Sequence, residues 1–198
     1  MRPMNQTANL FQTYLREHQS LFERLAPLAG QIEQAGELMS AALALGRKVL
    51  LCGNGGSAAD SQHIAAELTG RFVHDRRPLA ALALTTDTSA LTSIANDYSF
   101  DEVFARQVAG LGVPGDCLLG ISTSGNSRNV IKAVEVARDT GMRVIGLLGR
   151  NGGALRALCD VAIIVPSDTT ARIQEAHGFI GHTLCGLVES ALGLARAP

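Results

Sequence analysis

Two spacings of apolar residues alternate along this chain. Over residues 5–45, Leu10, Phe11, Tyr14, Leu15, Leu21, Phe22 and Leu25 recur at helical spacing. Pro27 suits the first turn of a second helix, Leu28 to about Leu45, and Gly46 ends it. Continuous apolar runs then appear at intervals: Lys48–Cys52, Leu79–Leu84, Gly115–Ile121, Met142–Leu148 and Asp160–Val165, the last stopped by Pro166. Runs of this length, bounded by turn residues, read as buried strands. Helical stretches separate them at 58–68, at Ser89 to about Ala95, at Phe100–Gly110, at Asn129–Thr140 and, briefly, near Ala154–Leu158. A last helix is expected from about Thr170 to Ala195. Strand then helix, repeated, predicts an α/β fold: five strands, mostly parallel, with helices on both faces. Ligands in such sheets bind beyond the carboxyl ends of the strands.

Two of those strand ends carry unusual loops. The first strand runs into Cys52-Gly53-Asn54-Gly55-Gly56-Ser57 and then a helix. Glycines let the backbone approach an anion closely, and the N–H groups of the first helical turn point at it. Ser57 stands where an N-cap would be. Neither the Walker pattern nor the dinucleotide fingerprint fits, because Ser57-Ala58 follows Gly56 and Ala59 replaces the third glycine. By itself the turn fits a phosphate cradle or a plain tight turn equally. The third strand runs into Ser122-Thr123-Ser124-Gly125-Asn126-Ser127. Helix capping accounts for one or two of these four hydroxyls; an anion held by hydroxyls and amides accounts for all of them.

Composition narrows the class. At 198 residues, 46% hydrophobic and 18% charged, the chain suits one globular domain. A formal net charge of −1 argues against nucleic acid or a membrane surface held by bulk charge. No apolar run is long enough to span a bilayer, and Met1–Thr7 lacks the apolar segment of a signal peptide, so a cytoplasmic protein is expected. Cys52, Cys117, Cys159 and Cys185 are far apart and read as buried thiols. His18, His74 and the Arg76-Arg77 pair read as solvated, and Gly149–Gly153 as a plain turn. Arg71, near the first loop, is a candidate anion contact. The last helix carries Gln174, Glu175, His177 and His182 among apolar neighbours, and polar groups there need partners. His177 reads as structural.

Gly53-Asn54-Gly55-Gly56-Ser57, Ser122-Thr123-Ser124-Gly125-Asn126-Ser127 and Arg172-Ile173-Gln174-Glu175, in that order and with His63 and Glu67 between, resemble the sugar isomerase (SIS) fold. More narrowly, nearly the whole chain is similar to the bacterial phosphoheptose isomerases. The resemblance implies a flavodoxin-like three-layer sandwich spanning 1–198, and a homotetramer that uses the helices of residues 5–45. It implies interconversion of sedoheptulose 7-phosphate and D-glycero-D-manno-heptose 7-phosphate, towards the heptoses of lipopolysaccharide or capsule. By resemblance, Ser122, Thr123, Ser124 and Ser127 hold the phosphate. Asn54, Gly55, Gly56, Ser57, Asn96, Asp97, Glu67 and Gln174 contact the sugar. Glu67 and His182 form the acid–base pair, and His63, Glu67, Gln174 and His182 hold a zinc ion.

Spacing agrees in part. His63 and Glu67 are four apart and share a helix face, as in a site or in a surface pair. At about 100° per residue, Glu175 aligns with His182 better than Gln174 does; the resemblance selects Gln174. Ala171 stands where some members have Asp before the Arg-Ile-Gln-Glu run. The alternative is a regulatory relative that binds the DnaA replication initiator; it lacks counterparts of Glu67 and His182, and this chain has both. A sugar-phosphate sensor would carry a basic helix-turn-helix, and none precedes residue 48.

Overall fold

In the computed structural model, which describes residues 4–194, every apolar run contributes to one parallel sheet. Helices α1 (Met4–Glu23) and α2 (Ala29–Ala44) come first, joined by a 3-10 turn at Ala26–Leu28 that contains Pro27. Then follow β1 (Val49–Gly53), α3 (Gly56–Thr69), β2 (Ala81–Ala83), α4 (Thr88–Asp97) and α5 (Ala105–Leu111). The remainder is β3 (Cys117–Ser122), α6 (Arg128–Asp139), β4 (Arg143–Gly149), β5 (Val161–Val165) and α7 (Thr170–Ala191). No described helix is long and apolar enough to cross a membrane.

Neighbouring residues of β1 show the layering. Leu51 faces a core with Met39 of α2, Ile64 of α3 and Leu184 of α7. Leu50 faces the other core, with Phe104, Val108 of α5 and Val134 of α6. Each such side chain, fully removed from water, contributes about 1.5–3 kcal/mol. The sheet order is β2-β1-β3-β4-β5. The chain leaves β1 to one side for β2, then returns past β1 to β3. The carboxyl ends of β1 and β3 therefore flank the point where the winding reverses, where a crevice opens between diverging connections. Gly53 of β1 pairs with Ile121 of β3, so the two polar loops emerge side by side.

Several expectations shift. The second strand shrinks from Leu79–Leu84 to three residues; at its start the Leu79 N–H donates to Leu68 O at the end of α3 instead of to the sheet, while beyond its end Leu84 still donates to Leu51 O of β1. The helix expected over Phe100–Gly110 splits into a 3-10 turn at Phe100–Glu102 and α5; the tighter turn lets Val103, Phe104 and Ala105 all enter the core. Asn96 and Asp97 end α4 and do not follow it. α7 stops at Ala191; its expected end at Ala195 lies outside the described residues, as do 1–3 and 196–198 of the expected domain. Two side chains expected in solvent are held. His18 Nδ1 lies 2.9 Å from Glu175 Oε2, and Arg76 is buried against Glu189, with its side chain 1% exposed.

Candidate active site

The glycine turn after β1 needs its glycines for different reasons. Gly55 has φ of 56°, which strains any other residue, and it takes the N-cap position of α3 that was expected of Ser57. Ser57 falls inside the first turn and is buried. Gly56 lies under the Gln174 side chain of α7: a Cβ there would sit 2.3 Å from Gln174 Nε2. Gln174 thus reaches over the turn, while Glu175 binds Arg172 and His18 on another side of the helix. Spacing alone favoured Glu175; α1 and Arg172 engage it elsewhere.

The hydroxyl loop after β3 is drawn inward. Ser122 Oγ lies 2.9 Å from Ser127 Oγ, and Ser124 Oγ accepts the Asn126 N–H at 3.1 Å. Ser127 is the N-cap residue of α6, yet its hydroxyl makes no capping bond. Simple capping therefore does not explain this cluster, which includes the half-buried Thr123. The turn after β4 braces the loop: Leu155 donates its N–H to Gly125 O, and Ala154 donates to Asn126 Oδ1. Asn54 and Asn129 exchange two amide hydrogen bonds of 2.9 Å, which fasten the two loops together. Sequence reading passed over Asn129; a buried amide on the second residue of α6 was its only signal. A cavity of about 160 Å³ opens beside the turn, walled by Asn54, Thr85, Leu91, Phe100 and Phe104. Asn96 and Asp97 end the same α4 that supplies Leu91; both are exposed, and Asn96 Nδ2 donates to Asp97 Oδ1 at 2.8 Å. No hydrogen bond among the described residues ties them to the loops.

The third part of the site joins α3 to α7. Gly181 lets these helices meet: a Cβ there would sit 2.7 Å from Ile64 Cδ1. Beside that contact, His63 Nε2 lies 2.7 Å from His182 Nε2 and 3.6 Å from Glu67 Oε1. The three groups can place ligand atoms within 4.8 Å of one another. At that separation one ring nitrogen can donate to the other, in the direction their tautomers set. Two nitrogens on one tetrahedral ion sit about 3.3 Å apart, so a small ring rotation would accommodate zinc, and two imidazoles with a carboxylate suit it. Gln174 was expected among the ligands; its amide is placed against Gly56, seven residues before His63 on α3. Phe72 stacks on His182, ring centroids 5.4 Å apart. One turn before His63, Asp60 has a buried Oδ2 without a hydrogen-bond partner. Burial raises its pKa, and the nearby His63 opposes that rise. Arg71 is exposed.

Comparison with known proteins agrees with this architecture. The sequence model of the SIS domain matches residues 13–149. A phosphoheptose isomerase of Rhodospirillum rubrum is 55% identical over 171 residues, covering 86% of this chain and 91% of the relative. One from Campylobacter jejuni is 53% identical over 181 residues, covering 91% and 97%. Among solved structures, the Neisseria gonorrhoeae phosphoheptose isomerase superposes with a TM-score of 0.89 at 48% identity, covering 93% of this chain and 99% of that one. That of Francisella tularensis gives 0.90 at 40% identity, covering 93% and 98%. The chain is an isomerase and belongs to the SIS domain family, within it to the phosphoheptose isomerases.

Proposed function

We propose that this enzyme interconverts sedoheptulose 7-phosphate and D-glycero-D-manno-heptose 7-phosphate through an enediol, in the supply of heptose for lipopolysaccharide or capsule. The observation that carries the reading is the meeting of His63 and Glu67, on the helix that leaves the glycine turn, with His182 of α7. Ser122, Thr123, Ser124 and Ser127 hold the phosphate with the free N–H groups at the start of α6, without a cation. Anchoring that remote end keeps the reacting carbons in register. Asn54, Gly55, Gly56, Ser57, Gln174, Asn96 and Asp97 contact the sugar.

Isomerisation moves a proton between adjacent carbons and needs a proton supply at oxygen. Glu67 exchanges the carbon-bound proton, and His182 exchanges the proton at oxygen. His63, Glu67 and His182, together with Gln174 as the resemblance implies, would hold zinc, which when bound polarises the carbonyl and steadies the developing oxyanion. The enzyme works in the cytoplasm as a homotetramer, whose other subunits cover the open flank beside His182. Nothing observed favours binding to the DnaA initiator: the two groups whose absence marks that relative stand here in one cluster.

The test is incubation of the purified protein with sedoheptulose 7-phosphate, zinc supplied, and separation of the products. Heptose 7-phosphate is expected, with little turnover of the unphosphorylated sugar. Absence of any heptose product overturns the proposal. Glu67→Gln and His182→Gln are each expected to abolish turnover in a folded protein, since both changes roughly conserve volume.

A further inference from the structure

Arg76 and Glu189 form a buried ion pair, with side chains 1% and 2% exposed and Arg76 Nε donating to Glu189 Oε1 at 2.7 Å. Burying two charges stabilises a fold only weakly against an apolar pair of the same shape. The contacts of this pair point to a second purpose. Arg76 Nη2 donates to the backbone carbonyl of Glu67, and Nη1 to that of Leu68, each at 2.8 Å. These carbonyls lie in the last turn of α3, where helix acceptors lack partners of their own. On the other side, Glu189 Oε1 accepts the N–H of Phe72 at 3.1 Å, and Oε2 accepts that of Val73 at 3.3 Å. The Phe72 ring stacks on His182. Glu189 lies seven residues beyond His182 on α7, two turns along the same helix face.

One ion pair thus grips the backbone of Glu67, the backbone of the residue stacked on His182, and the helix that carries His182. We propose that Arg76 and Glu189 are positioning residues that set the spacing of Glu67 and His182, with Phe72 as the contact that reaches the His182 ring. The proposal rests on the reading of Glu67 and His182 as the acid–base pair. A reacting group misplaced by about 1 Å can cost on the order of 100-fold in rate, so the pair acts on turnover without touching substrate. The phosphate loop, on β3 and α6, makes no hydrogen bond to the pair, so substrate affinity should be spared.

Three variants of the full-length protein test this: Arg76→Lys, Glu189→Gln and Phe72→Leu. Lysine keeps the charge but lacks the fork that reaches two carbonyls and a carboxylate together. Glutamine keeps the shape and removes the charge. Leucine leaves the ion pair and its backbone bonds whole. kcat and KM are measured with sedoheptulose 7-phosphate well below each variant's melting temperature, with the folded fraction read by circular dichroism. We expect kcat per folded enzyme to fall about tenfold or more, with KM within about twofold of the parent. A merely structural pair would lower the melting temperature and leave kcat per folded enzyme unchanged. Parental kcat in the folded variants, with Glu67→Gln inactive, overturns the proposal. If Arg76→Lys and Glu189→Gln fail to fold, Phe72→Leu decides by the same criterion. A fully active Glu67→Gln instead overturns the acid–base assignment.

Discussion

At Gly56 a methyl group would meet the Gln174 amide, 2.3 Å from Nε2 and 2.7 Å from Cδ. The obstacle is the far end of a flexible side chain, so Gly56→Ala should fold while displacing Gln174. kcat/KM is expected to fall more than about tenfold, equal to at least about 1.4 kcal/mol, with the melting temperature nearly unchanged; unchanged kinetics would remove Gln174 from the site. The cysteines allow a second residue-level prediction. Burial raises the thiol pKa of Cys52, Cys117, Cys159 and Cys185 to about 12. Thiolate, the reactive form, is thus nearly absent at neutral pH. Ellman's reagent should label the native protein slowly and release four equivalents on denaturation. The glycines, hydroxyls and cysteines were legible as residues because local backbone chemistry limits what such groups can do. Arg76 was not: its partner Glu189 lies 113 positions away, and no local rule turns a connecting loop into a buried guanidinium.

α7 reaches both the core and the site. Ile173, Ala176, Ile180, Leu184 and Val188 face inward at helical spacing. His177 is buried among them, with Nε2 donating to Leu148 O at 3.0 Å at the end of β4. Burial lowers its pKa from 6.5 to about 4, outweighing that hydrogen bond. The native state therefore keeps this ring neutral where the unfolded chain protonates it. Stability is full above pH 6.5 and is lost as pH falls from 6.5 to about 4, by roughly 3 kcal/mol. His177→Gln, whose amide can reach the same carbonyl, should flatten the fall of melting temperature across that window; an unaltered slope would mean His177 is protonated in the native state. Element order was legible because buried strands and amphipathic helices have different periods. The ends were less so. At the start of the expected β2 a hydrogen bond goes to α3 instead of to the sheet, and the 100–110 stretch was bent by three adjacent side chains competing for the core.

Across the whole molecule, one flank stays apolar and open. Phe22, Leu25, Ile32, Phe179 and Leu187 line a groove of about 370 Å³. It continues through Phe179, Thr183 and Leu187 into another of about 460 Å³, which includes Phe72 and His182. Further along α1, Leu10, Phe11 and Tyr14 are also exposed. The proposed tetramer would cover these faces and close the site from outside. Phe179, 50% exposed, is central to both grooves. Phe179→Glu should lower the mass seen by light scattering and reduce turnover; a tetramer with normal activity would place the interface elsewhere. Acid should act on the molecule at a second point. Burial alone would raise the Glu189 pKa, but Arg76 and the N–H groups of Phe72 and Val73 outweigh it and leave it below 4.5. Its stabilisation is present above 4.5 and is lost as pH falls through the lower native value. That loss follows the His177 loss, so acid unfolding should steepen below pH 4.5, and Glu189→Gln should remove the second part only.

His63 and His182 touch across 119 positions, which gives the site a history during synthesis. At roughly 5–20 residues per second, a ribosome adds His182 about 6 to 24 s after His63. The glycine turn and the hydroxyl loop are both made by residue 127, well inside that interval. The growing chain therefore acquires the loops suited to an anion before it acquires the helix that completes the acid–base pair. For those seconds the loops exist as sequence without their supports, because Ala154, Leu155 and Gln174, which brace and cover them, are still to be made.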